Sequence, residues 1–229
     1  MEVKEIPVDK VERDREWDKD VAWVLWRMDE KPPAKVLEVG AWSENLGLQL
    51  ALKGFDVTGV DLHPYDGPPH ANYRHIVGDF CRLDLEEYDI VVSTSAIEHF
   101  GLGTYDRHQE VIRDVHDLDY DQVAMRKVFE VLRPGGVCYV TVPFGKSFRS
   151  NSDWRVYNPD TIGRIIQRFE VETTDYFLSA ALPERKWNLG KKLTKEEVLT
   201  VDGIPNSTVG LKLRRAEAVK YHIRFTDCA

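Results

Sequence analysis

Apolar positions along this chain change their period near residue 35. Before it, Trp17, Val21, Val24, Leu25 and Met28 fall at helical spacing among many charges, which predicts one amphipathic helix. Lys31-Pro32-Pro33 ends it, because proline cannot continue a helix. That helix either covers a core or lies over a ligand. From residue 35 short β runs alternate with helical segments. Strands are predicted at 35–39, 56–60, 73–77, 89–93 and 137–142. A helix is predicted from Asn45 to Lys53, closed by Gly54. Its leucines at 46, 48, 50 and 52 alternate and suit a strand as well. Asp119 caps a helix running to Leu132, which Arg133-Pro134-Gly135-Gly136 ends. Asn158-Pro159-Asp160 starts another, with a cap, a first-turn proline and an acid at the positive dipole end. Residues 171–177 and 219–226 read as a last pair of strands.

The fourth and fifth strands are almost continuously apolar, as strands buried on both faces are. The expected fold is therefore α/β: a Rossmann-like, doubly wound, mostly parallel seven-stranded sheet with helices on both faces. Residues 1–33 form an N-terminal helical extension in this reading, and 34–229 the main domain. Two insertions interrupt it, at about 100–118 and 183–215. The first is acidic and carries His108 and His116. The second holds eight Lys/Arg against four Asp/Glu. The two either attract each other or wall a site.

Composition narrows the function classes. The formal charge is −8, which disfavours a general nucleic-acid binder, since such a protein needs surplus positive charge. Cys81, Cys138 and Cys228 are too few and scattered for a disulfide framework or a zinc cluster. The first twenty residues are densely charged where a signal peptide is apolar. No apolar run approaches the roughly 20 residues of a membrane span. A cytoplasmic protein with no membrane contact is the expectation.

The chemistry sits where strands end, because ligands of open α/β sheets bind beyond the carboxyl ends of the strands. Glu38 and Gly40 follow the first strand, Asp61 the second, Asp79-Phe80 the third and Ser93-Thr94-Ser95 the fourth. A dinucleotide needs G-x-G-x-x-G so that its pyrophosphate can approach the backbone. Only the first glycine, Gly40, is present. An acid after the second strand suits ribose hydroxyls, and Asp79 with Phe80 suits the adenine amine and ring. A nucleoside without phosphates fits this set better than NAD.

In order and spacing, VLEVGAW, GVDL, GDF, YDIVVSTSAIEHF and LRPGGVCYVTVPF resemble the motifs of the class I S-adenosylmethionine-dependent methyltransferases, over roughly residues 35–177. The resemblance implies that Glu38, Gly40 and Ala41 border the methionine part of the cofactor. It implies that Asp61 and Leu62 bind ribose, that Asp79 and Phe80 bind adenine, and that Ser93 and Ser95 lie in the floor. Trp42 stands where a second glycine is common.

Methyl transfer needs an aligned nucleophile and exclusion of water, and a hydroxyl acceptor gains from a base. His99 is the candidate base, with Glu98 to orient it or to bind a cation. This Glu-His pair also resembles the metal-binding part of some ubiquinone-pathway and small-RNA methyltransferases. Those have a Glu where Ser95 stands, which disfavours a divalent metal here. The stretches 98–103, 142–145 and 154–159 resemble methyltransferase-like proteins of surface-glycan biosynthesis. That implies a small hydroxylated acceptor, such as a sugar or nucleotide sugar, with Phe144, Arg155 and Tyr157 as substrate-binding residues. The rival readings are a methyltransferase acting on nucleic acid or protein, and a non-catalytic cofactor-binding relative.

Overall fold

A computed structural model describes residues 18–42, 46–102, 118–178, 192–200 and 207–216. The elements follow in chain order. They are α1 Asp18–Arg27, β1 Lys35–Val39, α2 Leu46–Leu52, β2 Asp56–Asp61, β3 Tyr73–Val77, β4 Tyr88–Thr94, α3 Tyr120–Val131 and β5 Leu132–Pro143. A two-residue hairpin, β6 Arg149–Ser150 and β7 Arg155–Val156, precedes α4 Pro159–Ile166. Then come β8 Glu170–Leu178, β9 Lys192–Leu193, α5 Lys195–Val198 and β10 Ser207–Arg214.

The large sheet runs β3-β2-β1-β4-β5-β10-β8-β9. Strands β3 to β5 are mutually parallel, and β10 is antiparallel to both its neighbours. The sheet is α/β and Rossmann-like as expected. It has eight strands rather than seven, because β9 adds a two-residue edge.

The two faces of the sheet read directly from alternation along the strands. Leu37, Val39, Val91, Val140 and Val142 pack with Ala124, Met125 and Val128 of α3 and Ile165 of α4. Val36, Val57, Ile90, Val92 and Tyr139 pack with Val21, Trp23 and Val24 of α1 and with Leu46 and Leu50 of α2. The N-terminal helix thus forms part of the second core. Its Trp23 lies so close to β10 that a Cβ at Gly210 would sit 2.4 Å from the indole, which only glycine avoids.

The structure departs from the pattern reading in two places. Arg133-Pro134-Gly135-Gly136 ends α3 but already belongs to β5, whose Leu132 pairs with Tyr88. Gly135 takes φ +79°, and the register shifts beside it, so the turn residues bend the strand. The strand beside β8 is 207–214, inside the segment whose charge marked it as an insertion. Residues 219–226, 103–117 and 179–191, with His108 and His116, lie outside the described residues. Lys212 of that segment, buried in β10, is neutralised by Asp29, Glu30 and Glu172.

Candidate functional site

The strand order reverses between β1 and β4, since the chain leaves β1 toward β2 and β3 and then crosses to β4. A crevice is expected at that point of an open sheet, and the acids flagged by the sequence flank it. Gly40 takes φ +85°. A Cβ there would lie 2.4 Å from that of Ala96, so the loops after β1 and β4 touch through this glycine. The amides of Gly40 and Ala41 both donate to the Val60 carbonyl (3.0 and 3.2 Å). Ser93, buried, donates from Oγ to the Val39 carbonyl at 3.0 Å, which ties the ends of β1 and β4 together.

Glu38 is buried, and its Oε2 accepts from the Gly47 amide at 3.1 Å in the first turn of α2. Burial pushes its carboxyl up to about 7; the Gly47 bond opposes this and Asp61 adds to it. Asp61 accepts at one oxygen, Oδ1, from both the His63 amide (2.8 Å) and His63 Nδ1 (2.9 Å). The His63 ring stacks on Trp42 at 4.3 Å between centroids. Leu62 is half-buried between them.

Asp79 caps the turn Phe80–Arg82, accepting from the Cys81 amide at 3.0 Å. Its other oxygen accepts from the Tyr120 hydroxyl at 2.6 Å and faces Arg82 at 3.2 Å. Phe80 is buried edge-on against Phe100.

Beyond the end of β4, Ser95 is a non-glycine residue at φ +46°, a conformation that persists where surroundings enforce it. Its amide donates to Thr141 (3.1 Å) and its Oγ to Glu98 Oε1 (2.6 Å). Glu98 is buried, and its Oε2 meets no donor among the described residues. Burial raises this carboxyl to about 7, against the Ser95 bond and the charges of Lys19 and Arg155. His99 donates from Nδ1 to the Asp153 carbonyl. Burial lowers its pKa, so the ring is neutral and Nε2 is its basic nitrogen. That nitrogen lies 3.9 Å from Glu98 Oε1.

Phe144, Arg155 and Tyr157, the residues read as substrate-binding, are all buried. Arg155 is 1% exposed. Its guanidinium donates to the carbonyls of Glu98 (3.1 Å), Phe100 (2.7 Å) and Leu118 (3.0 Å), and lies 3.6 Å from Asp121. A buried cation must be compensated, and three main-chain oxygens and the Asp121 carboxylate do so among the described residues. Tyr157 donates to Asp121 at 2.7 Å, and Phe144 packs on Tyr176 in the core. Arg155 thereby ties down the segment that carries Glu98 and His99.

Trp42 entered the sequence reading only as a departure, and His63 carried no role at all. Tyr120 and Asp121 were missed too. Nothing local marks them, for their partners lie 41 and 36 residues away. Among the described residues no group of His, Cys, Asp and Glu is arranged to hold a metal. No described helix is long and apolar enough to cross a membrane.

Among solved structures, a Burkholderia thailandensis 1,6-didemethyltoxoflavin-N1-methyltransferase holding 1,6-didemethyltoxoflavin and S-adenosylhomocysteine matches at a TM-score of 0.57 and 14% identity. The match covers 89% of this chain and 80% of that one. A putative methyltransferase of Haloferax volcanii, in complex with the Trm112 methyltransferase activator, matches at 0.57 and 17%, over 90% and 91% of the two chains. The [4+2]-cyclase SpnF matches at 0.56 and 13%, over 88% and 81%. The fold is thus that of the class I S-adenosylmethionine-dependent methyltransferases, and SpnF shows the same architecture under a cyclase name. No curated protein matches this sequence. One family model does, over residues 77–196 and so just over half of the chain: the chain belongs to the family described as "Caenorhabditis protein of unknown function, DUF268".

Proposed function

We propose that this chain binds S-adenosylmethionine and methylates a hydroxyl of a small polar acceptor, such as a sugar or nucleotide sugar. The observation that carries the reading is the set of acids on one edge of the sheet. Glu38, Asp61, Asp79 and Glu98 stand at or just beyond the ends of β1, β2, β3 and β4, around the close approach of Gly40 to Ala96. The rim suits a cation: Glu38 and Glu98 are buried without a full counter-charge, and Glu98 Oε2 meets no donor among the described residues. An anionic dinucleotide suits it poorly. The neighbour from Burkholderia thailandensis holds S-adenosylhomocysteine, which supports the same choice.

When bound, the cofactor would supply a methyl group already activated by its sulfonium. The chain then has to bind, orient and deprotonate. Asp61 would accept from ribose and Asp79 from the adenine amine. Ser93 keeps the strand ends in register, and Ser95 fixes the Glu98 carboxylate. His99, whose pKa burial lowers and whose Nδ1 donates to the Asp153 carbonyl, would take the acceptor's proton at Nε2. Glu98 beside it stabilises the imidazolium that results.

Calorimetry with S-adenosylmethionine tests the reading first, and absence of binding at millimolar cofactor overturns it. Mass spectrometry across sugars and nucleotide sugars then looks for the gain of one methyl group. His99→Ala is expected to lower kcat by about 10²–10⁴-fold with cofactor affinity unchanged. Because the His99 pKa is lowered, wild-type kcat/KM should hold on the acid side until below the ordinary histidine range.

A further inference from the structure

Trp42 and His63 are not explained by the acid set, yet they touch it. The Gly40 and Ala41 amides bind the same Val60 carbonyl, which directs the chain across the end of β2. Trp42 follows, 44% exposed, with its indole over the His63 imidazole at an interplanar angle of 20°. Glycine is common at this position, and it would leave that space open. The imidazole in turn reaches Asp61 Oδ1 through Nδ1, beside the bond from its own amide. One carboxylate oxygen therefore has two protein donors. The other, Oδ2, meets none among the described residues. The His63 carbonyl accepts from His75 Nε2 at 2.9 Å, which anchors the segment from behind.

We propose that His63, braced by Trp42, is a positioning residue that locks the Asp61 carboxylate so that a single oxygen, Oδ2, is presented to the ribose of an adenosyl ligand. The proposal rests on the cofactor reading above. A free carboxylate rotates about its last torsion, and ordering it on binding costs affinity. Here two contacts order it beforehand, an amide and an imidazole, and an indole face stacks behind the imidazole.

The test is a cycle of two ligands and several variants, read by calorimetry. The probes are S-adenosylhomocysteine and its 2′,3′-dideoxy analogue. His63→Ala should weaken the first about tenfold, as loss of a hydrogen bond to a charged group does, and the second less than twofold. His63→Asn keeps an N–H at the Nδ1 position and should restore most of the loss. Trp42→Ala should weaken S-adenosylhomocysteine about threefold, the scale of one aromatic contact, and Trp42→Phe should not. Equal losses for both ligands would mean that His63 only supports the fold, and no loss would mean that it does nothing; either overturns the inference and leaves the cofactor reading intact. If the wild-type chain binds neither ligand, the cofactor reading falls and this inference falls with it.

Discussion

Buried charges on the two halves of the sheet behave in opposite ways. At the ends of β1 and β4, Glu38 and Glu98 are buried with little compensation, and burial pushes both carboxyls up to about 7. On β8, burial also acts to raise Asp175, but Arg27, Lys192 and Trp23 outweigh it and hold the carboxyl near 2. Lys212 on β10 is likewise ringed by Asp29, Glu30 and Glu172. One half spends its charges on itself, and the other keeps them unspent. An under-compensated buried charge costs stability, and such groups gather where a ligand completes them.

Arg155 is where this contrast breaks hardest, since it lies beside Glu98 yet belongs with the self-satisfied charges. Arg155→Leu removes donors from three carbonyls and the cation facing Asp121. Removing one partner from a buried charged set costs on the order of 3–5 kcal/mol. Urea unfolding should show that loss, and Arg155→Lys should not rescue it, because an ammonium lacks the guanidinium fork. A ligand-binding Arg155 would instead leave stability nearly unchanged and raise KM alone.

Glu38→Gln and Glu98→Gln sharpen the other side. Both acids have folded pKa values near 7 against about 4.5 when unfolded. Between those values the folded state holds protons that the unfolded state has lost, so stability falls as pH rises from about 4.5 through 7. Each shift corresponds to a cost on the order of 3 kcal/mol at pH 8. Each Gln variant should therefore be more stable than wild type at pH 8, with a flatter thermal profile between pH 5 and 8. Wild type without that slope would place both groups in ordinary water.

The sequence made the first half legible because its signals are local. A glycine, then an acid at each strand end, need only a strand and a turn to take their places. Lys35–Val39 and Tyr73–Val77 have the expected bounds, and Asn158 caps α4 as expected, accepting from the Thr161 amide. The second half is less legible because its charges are satisfied over long separations. Arg155 reaches carbonyls 57, 55 and 37 residues away, and no window around Trp154-Arg155-Val156 records that. Within the basic 183–215 segment, the acids that neutralise Lys212 are equally remote in sequence, at 29, 30 and 172. Trp42 and His63 fall between the cases, visible as residues but with a contact that only the fold supplies.

Asp175 gives the smallest effect and the opposite sign, which makes it the sharper control. Its folded pKa is depressed to about 2 from an ordinary 3.8. The stability it contributes is present above about pH 4 and is lost as pH falls toward 2. Lys192 is 67% exposed and Arg27 26%, so solvent screens the pairs, and the contribution is about 1–2 kcal/mol rather than the full shift. Asp175→Asn should lower stability by that amount at pH 7 and flatten only the acid limb of the pH profile. Asp175 and Glu98 share no hydrogen-bond partner, and effects at independent sites add. The double variant with Glu98→Gln should then lose slope at both ends of the profile, measured as Tm from pH 3 to 8. If Asp175→Asn flattened the alkaline limb instead, the two sets of charges would be one network, and the division between spent and unspent halves would fail.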